Sequence, residues 1–232
     1  MEVLQSIVGY ASYLKAHSLN EHGQTEALGF LHEYCMYGEP TMPISAIDVS
    51  FFDEFLIYWL PKNQSRLKEE KVEQVLKGVA NYCMYIQQLY HTPKLGQYEP
   101  IKDYKQECLR IYRLKRLFSK HLGDPIINLE PFIIDFATYK LYKQKKDDIK
   151  SKGVYERGLF EVIDMDYDQT VILRKLSQKS YVRIMLEDFL APYIRKGDIL
   201  HLVLKRRQLY SCWEVQKLKG CYLSKAQEYL VD

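Results

Sequence analysis

Glycine is scarce, at 11 of 232 residues, and nowhere forms a GxGxxG, GxxxxGK or GxSxG string. Phosphate-cradling glycine loops and nucleophile elbows are therefore excluded. Proline numbers only 8, which rules out collagen-like and linker-dominated chains. Cysteine is sparse and odd in number: Cys35, Cys83, Cys108, Cys212 and Cys221, with no CxxC spacing. This predicts buried, reduced thiols in a cytoplasmic protein, not a disulfide framework or a zinc site. No apolar run reaches the roughly 18 uncharged residues of a membrane span. The N-terminus opens on an acid and lacks early Lys or Arg and a small-residue cleavage site, so no signal peptide is expected. Charge of one sign is not in excess either. Lys plus Arg number 33 against 30 Asp plus Glu, too even a balance to name a partner.

What is present is a folded composition, 47% hydrophobic and 27% charged, in a chain long enough for two domains. Twenty tyrosines fit half-buried helix faces, where the ring packs and the hydroxyl finds a partner. Residues 1–150 carry helical periodicity, predicting about six helices. They fall at 2–17, 24–37, 49–60, 66–90, 101–121 and 130–147. Asp48 or Ser50 caps the third helix and Pro61 stops it; Ser65 caps the fourth. The polar, lysine-rich stretch 143–153 reads as a linker.

Beyond Gly153 the pattern alternates. It predicts strands at 157–164, 169–177, 180–187, 198–206 and 209–217, then a short helix at 223–231. So many short antiparallel strands in so few residues bury enough surface by curling into a small barrel. The expected fold is thus α+β: an all-α domain over 1–150, then a small five-stranded antiparallel β-barrel with a C-terminal helix over 154–232.

Metal and hydrolase signals fail on inspection. His32-Glu33 begins an HExxH-like string, but Met36 occupies the second histidine position. Asp164, Asp166 and Asp168 have EF-hand spacing, but Gln169 replaces the turn glycine and Lys175 the bidentate acid. A polar hairpin is expected there, and no metal or cofactor is expected anywhere. Arg116 and His121 have the Arg-x4-His spacing of HEPN ribonucleases, where such a pair acts on a phosphodiester. Here Leu117 follows the arginine instead of a polar residue. A dipole-complementing helix end accounts for the pair equally well.

Charge is unevenly spread. Residues 1–60 hold one lysine against eight acids, whereas residues 101–121 hold seven cations against two acids. At about 100° per residue, Lys102, Lys105, Arg113, Arg116 and Lys120 share one side of a helix. Ile101, Tyr104, Cys108, Ile111 and Phe118 lie on the other. A row of cations on one face suits a phosphate backbone, or docks on the acidic first 60 residues. On the expected barrel, Arg195, Lys196, Arg206 and Arg207 sit at strand ends, where small barrels contact nucleic acid.

The stretches Ile7–Leu14, Pro43–Leu56 and Val75–Ile86 resemble, in hydrophobic spacing, the core-binding, SAM-like domain of tyrosine recombinases. The resemblance covers residues 1–90. It implies a DNA- or partner-binding helical module. That family's catalytic domain needs Arg, His-x-x-Arg and Tyr, and no histidine here precedes an arginine by three residues. Strand cutting is not implied.

The expectation is a non-catalytic nucleic-acid-binding or regulatory protein with DNA or RNA as partner and no membrane contact. The alternatives are a protein–protein interaction module and an enzyme with an unrecognised site.

Overall fold

The computed structural model describes residues 1–18, 22–92, 95, 98–122, 153–166, 169–207 and 212–230. The expected helix at 130–147 and linker at 143–153 lie almost wholly outside them. The chain divides into two units: Met1–Arg113 with Tyr222–Asp232, and Leu114–Cys221.

The first unit is helical. It holds α1 (Val3–Ala16), α2 (His22–Tyr37), α3 (Val49–Asp53), a π turn (Glu54–Trp59), α4 (Leu60–Asn63) and α5 (Glu69–Tyr90). The helix α6 (Pro100–His121) begins here and runs on into the second unit. Asp48 caps α3, its carboxylate accepting from the Phe51 amide at 3.1 Å. Pro61 does not stop the third helical segment, as was expected. The Leu60 amide reaches back five residues to the Phe55 carbonyl, and the widened turn admits the proline ring before the helix continues to Asn63. Ser65 does not cap α5 either. Lys68 stands at that position without a side-chain bond, and Glu69 and Glu70 in the first turn complement the helix dipole.

Core and close contacts follow from residue size. Phe52, Phe55, Leu56, Leu31, Tyr82 and Ile86 are fully buried, each large side chain contributing about 1.5–3 kcal/mol. The helices α2 and α5 approach at Gly78, where an added methyl would overlap that of Ala27. Ser6 and Tyr82 share a buried hydroxyl–hydroxyl bond from α1 to α5.

The second unit is a five-stranded antiparallel sheet. Its strands are β1 (Gly153–Met165), β2 (Thr170–Lys175), β3 (Tyr181–Met185), β4 (Ile199–Arg207) and β5 (Glu214–Tyr222), in spatial order β3-β2-β1-β4-β5. The last residue, Tyr222, belongs to the first unit. Phe160, Val162, Val171, Leu173, Leu200, Leu202 and Leu204 are all buried, as the alternation predicts for one face.

The sheet is open, which corrects the expected barrel. Closure requires a β3–β5 ladder. Among the described residues those edges meet at one isolated bridge, Ile184 with Trp213, where the Trp213 amide donates to the Arg183 carbonyl at 2.7 Å. The neighbours of β1 are staggered along it. Its residues Gly153–Glu161 pair with β4, while Phe160–Met165 pair with β2. Phe160 and Glu161 pair in register with both neighbours, and the short β3 (Tyr181–Met185) meets the β5 side at that one bridge instead of a ladder. The fifth strand also begins later than the expected 209–217. The C-terminal segment is a 3-10 helix over Ser224–Tyr229, which lies in the first unit.

Candidate functional site

The helix α6 is amphipathic over its whole length. Tyr104, Cys108, Ile111, Tyr112, Leu114 and Phe118 are buried, whereas Lys102, Arg113, Arg116 and Lys120 are exposed. Ile101, expected on the apolar side, is 37% exposed. Lys105 is half-buried. Its ammonium lies 2.6 Å from Glu73 Oε1 on α5, and this hydrogen bond and charge hold the Glu73 carboxyl below its usual range. The basic segment loses another cation inward: Arg110 is buried and gives its Nε and Nη2 to Glu107 Oε2 at 3.1 and 2.8 Å.

Arg116 and His121 do not converge. Five residues on a helix place them about 140° apart. His121 instead lies 3.7 Å from Glu187 Oε1, with its ring against Phe189 at 5.6 Å between centroids.

The cations expected on the sheet do not form one cluster. Arg195 and Lys196 are exposed in the turn that enters β4, where Asp198 Oδ2 accepts from the Arg195 amide at 2.8 Å and Gly197 takes φ 88°. Arg206 is near the far end of β4, roughly 25 Å away at 3.3 Å per residue. Its guanidinium stacks 5.0 Å from the Trp213 ring. Arg207 closes β4, and its side chain lies outside the described residues.

Cations not picked out from the sequence stand elsewhere on this unit. Lys217 and Lys219 are exposed on β5, and Lys115 Nζ donates to the Lys219 carbonyl at 3.2 Å. Their signal was the alternation Lys217-Leu218-Lys219, in which Leu218 is buried. The strand expected at 209–217 ends at Lys217 and so divides this pair, whereas β5 continues to Tyr222. Lys175 and Lys205 are buried; Lys175 Nζ lies 3.5 Å from Glu156 Oε1, and Lys205 Nζ is 5.6 Å from the Tyr155 ring centroid.

The first unit carries a carboxylate–phenol cluster at its π turn. Asp53 accepts from Tyr98 at 2.9 Å and from Tyr104 at 2.7 Å, while Lys225 Nζ donates to the Tyr104 oxygen at 3.1 Å. Burial first, then the facing Asp53 carboxylate, raises both phenols well above their ordinary pKa. Tyr58 meets Tyr222 and Tyr229, each at 6.3 Å between centroids. Phenols so raised donate hydrogen bonds and do not act as bases; the cluster binds segments together.

A groove of about 520 Å³ opens between α1 and α5. Tyr10, Tyr13, Tyr85 and Met84 wall it, with Asn81 and Gln88 supplying amides and, among the described residues, no charged side chain in the lining. Gln24 Oε1, also at the groove, is buried without a hydrogen-bond partner among the described residues.

All five cysteines are free, four of them buried. Among the described residues no group of three His, Cys, Asp or Glu side chains could hold a metal ion, and no helix is long and apolar enough to cross a membrane. No protein-family model, curated protein or solved structure matches the chain.

Proposed function

We propose that the protein is a non-catalytic nucleic-acid-binding protein that grips the phosphate backbone with the outer face of α6. The observation that carries this reading is the exposure of Lys102, Arg113, Arg116 and Lys120 along one helix whose opposite side is packed into the core. Such a row meets phosphates without disturbing the fold, and Lys or Arg contacts to phosphate supply affinity that does not depend on base sequence. The resemblance of residues 1–90 to recombinase core-binding modules agrees with this assignment. Free, mostly buried thiols suit a cytoplasmic location.

The test is fluorescence anisotropy with labelled duplex and single-stranded DNA and RNA at rising salt. Wild type binds at low salt, and log affinity falls linearly with log salt. The double variant Arg113→Glu/Arg116→Glu stays folded by circular dichroism and loses binding. A wild type that binds none of the four probes at low salt defeats the reading.

A second reading, a protein-interaction module, draws on the α1–α5 groove. Its lining of three tyrosines with Met84, Leu14 and Leu89 has the composition of interface cores. Copurification of a polypeptide that is lost with Tyr13→Ala/Met84→Ala would favour it over the first.

A further inference from the structure

We infer that the phosphate-binding surface continues from α6 onto β5, through Lys217 and Lys219. This rests on the assignment of α6 to a nucleic-acid backbone and adds a second element to that site. The spatial relation lies within the second unit. Lys115 on α6 gives its Nζ to the main-chain carbonyl of Lys219 at 3.2 Å, so the side chain of α6 next to Arg116 reaches the terminal strand of the sheet. Arg116, the next residue, and Lys120, one turn on, are exposed on the helix.

Strand alternation sends Leu218 and Gly220 inward, where both are buried, and Lys217 and Lys219 outward, where both are exposed. The two outward lysines are about 7 Å apart along the strand. Glu214 is the one acid on β5; it shares the parity of Leu218 and thus projects from the opposite face. Helix and strand edge together offer Lys115, Arg116, Lys120, Lys217 and Lys219. No acid is interleaved among these on either element between 114 and 121 or 215 and 222. Lysines carry charge without a planar hydrogen-bonding fork, so they add affinity for phosphate oxygens and no base readout. The partner so defined is a nucleic-acid backbone, held independently of sequence.

The experiment compares salt slopes, with a labelled random-sequence duplex as probe. Lys217→Ala/Lys219→Ala keeps the Lys115 bond, because its acceptor is main chain. The slope of log affinity against log salt should become shallower by about 1.8, two contacts at about 0.9 each. The Arg113→Glu/Arg116→Glu variant should lose binding in parallel. A lysine variant with unchanged slope, beside an arginine variant that no longer binds, overturns the β5 extension and leaves the α6 reading standing. Absence of wild-type binding overturns both. Competition by polyglutamate as effective as that by unlabelled duplex overturns the nucleic-acid partner in favour of an acidic protein.

Discussion

The Tyr104 hydroxyl donates to Asp53 Oδ2 at 2.7 Å and accepts from Lys225 Nζ at 3.1 Å, joining the end of α3 to the 3-10 helix Ser224–Tyr229. Asp53 serves Tyr98 as well, at 2.9 Å. Asp53→Ala strips the acceptor from two phenols at once and should destabilise the first unit by about 1–3 kcal/mol. Asp53→Asn, which keeps one acceptor oxygen, should cost less. Lys225 is exposed, so Lys225→Ala should cost under about 1 kcal/mol. Urea unfolding midpoints order the three variants. Equal midpoints for Asp53→Ala and wild type would remove the cluster's structural role.

Alkaline pH should unfold the first unit only after the ordinary tyrosines have ionised. Burial raises the phenols of Tyr34, Tyr82, Tyr98 and Tyr104 above the ordinary value of about 10. A folded state that keeps these groups neutral has its full stability below that value. It loses stability as pH climbs past it, because the unfolded chain ionises first. Tyrosinate absorbance should rise in two steps, the second coincident with loss of helical circular dichroism. A single step, complete while helicity persists, would show that these phenols ionise in the folded state.

Much of this architecture was legible because it depends on local periodicity. Within the helix expected at 66–90, Val72, Val75, Leu76, Val79, Cys83 and Ile86 are buried at helical spacing, Tyr90 is half-buried, and Asp48 caps α3 as its side chain dictates. Three features were not legible, each decided by distant contacts. The open sheet follows from the edges β3 and β5 meeting at one bridge and not a ladder, a pairing that no single strand encodes. The π turn resolves a conflict between Pro61 and a helix held in the core by Phe55, Leu56 and Ile57. The cluster at Asp53 draws Tyr98, Tyr104 and Lys225 from well-separated positions. On α6 the cationic face was visible, but the loss of Lys105 to Glu73 depends on the neighbouring helix.

Gly78→Ala sets two effects against each other. Alanine in a helix interior gains about 0.8–1 kcal/mol over glycine. At this position the new methyl overlaps that of Ala27 on α2, and overpacking costs about 1–3 kcal/mol. The steric cost is larger, so the melting temperature should fall. Combining it with Ala27→Gly should recover most of the loss. A higher melting temperature for the single variant would mean that α2 and α5 separate at little cost.

Glu73 should act as a brake on the cationic face of α6. Its carboxylate sits 2.6 Å from Lys105 Nζ, on side chains that both still reach solvent, so the pair adds little to stability. Its effect on phosphate binding is larger, because Glu73 neutralises one of the five cations predicted to meet phosphate. Glu73→Gln releases that charge and should tighten duplex binding, with the salt slope steeper by up to about 0.9. Lys105→Ala in the otherwise unchanged protein should barely alter affinity, whereas Lys120→Ala should weaken it. The pH dependence has a defined sign. Glu73 is held below its usual range by Lys105, so the brake stays on through neutral pH and releases only as pH falls through that lowered value. Anisotropy titrations of the three variants at one salt concentration decide it. Weaker binding by Glu73→Gln, or an equal loss for Lys105→Ala and Lys120→Ala, would show that the pair does not hold Lys105 back.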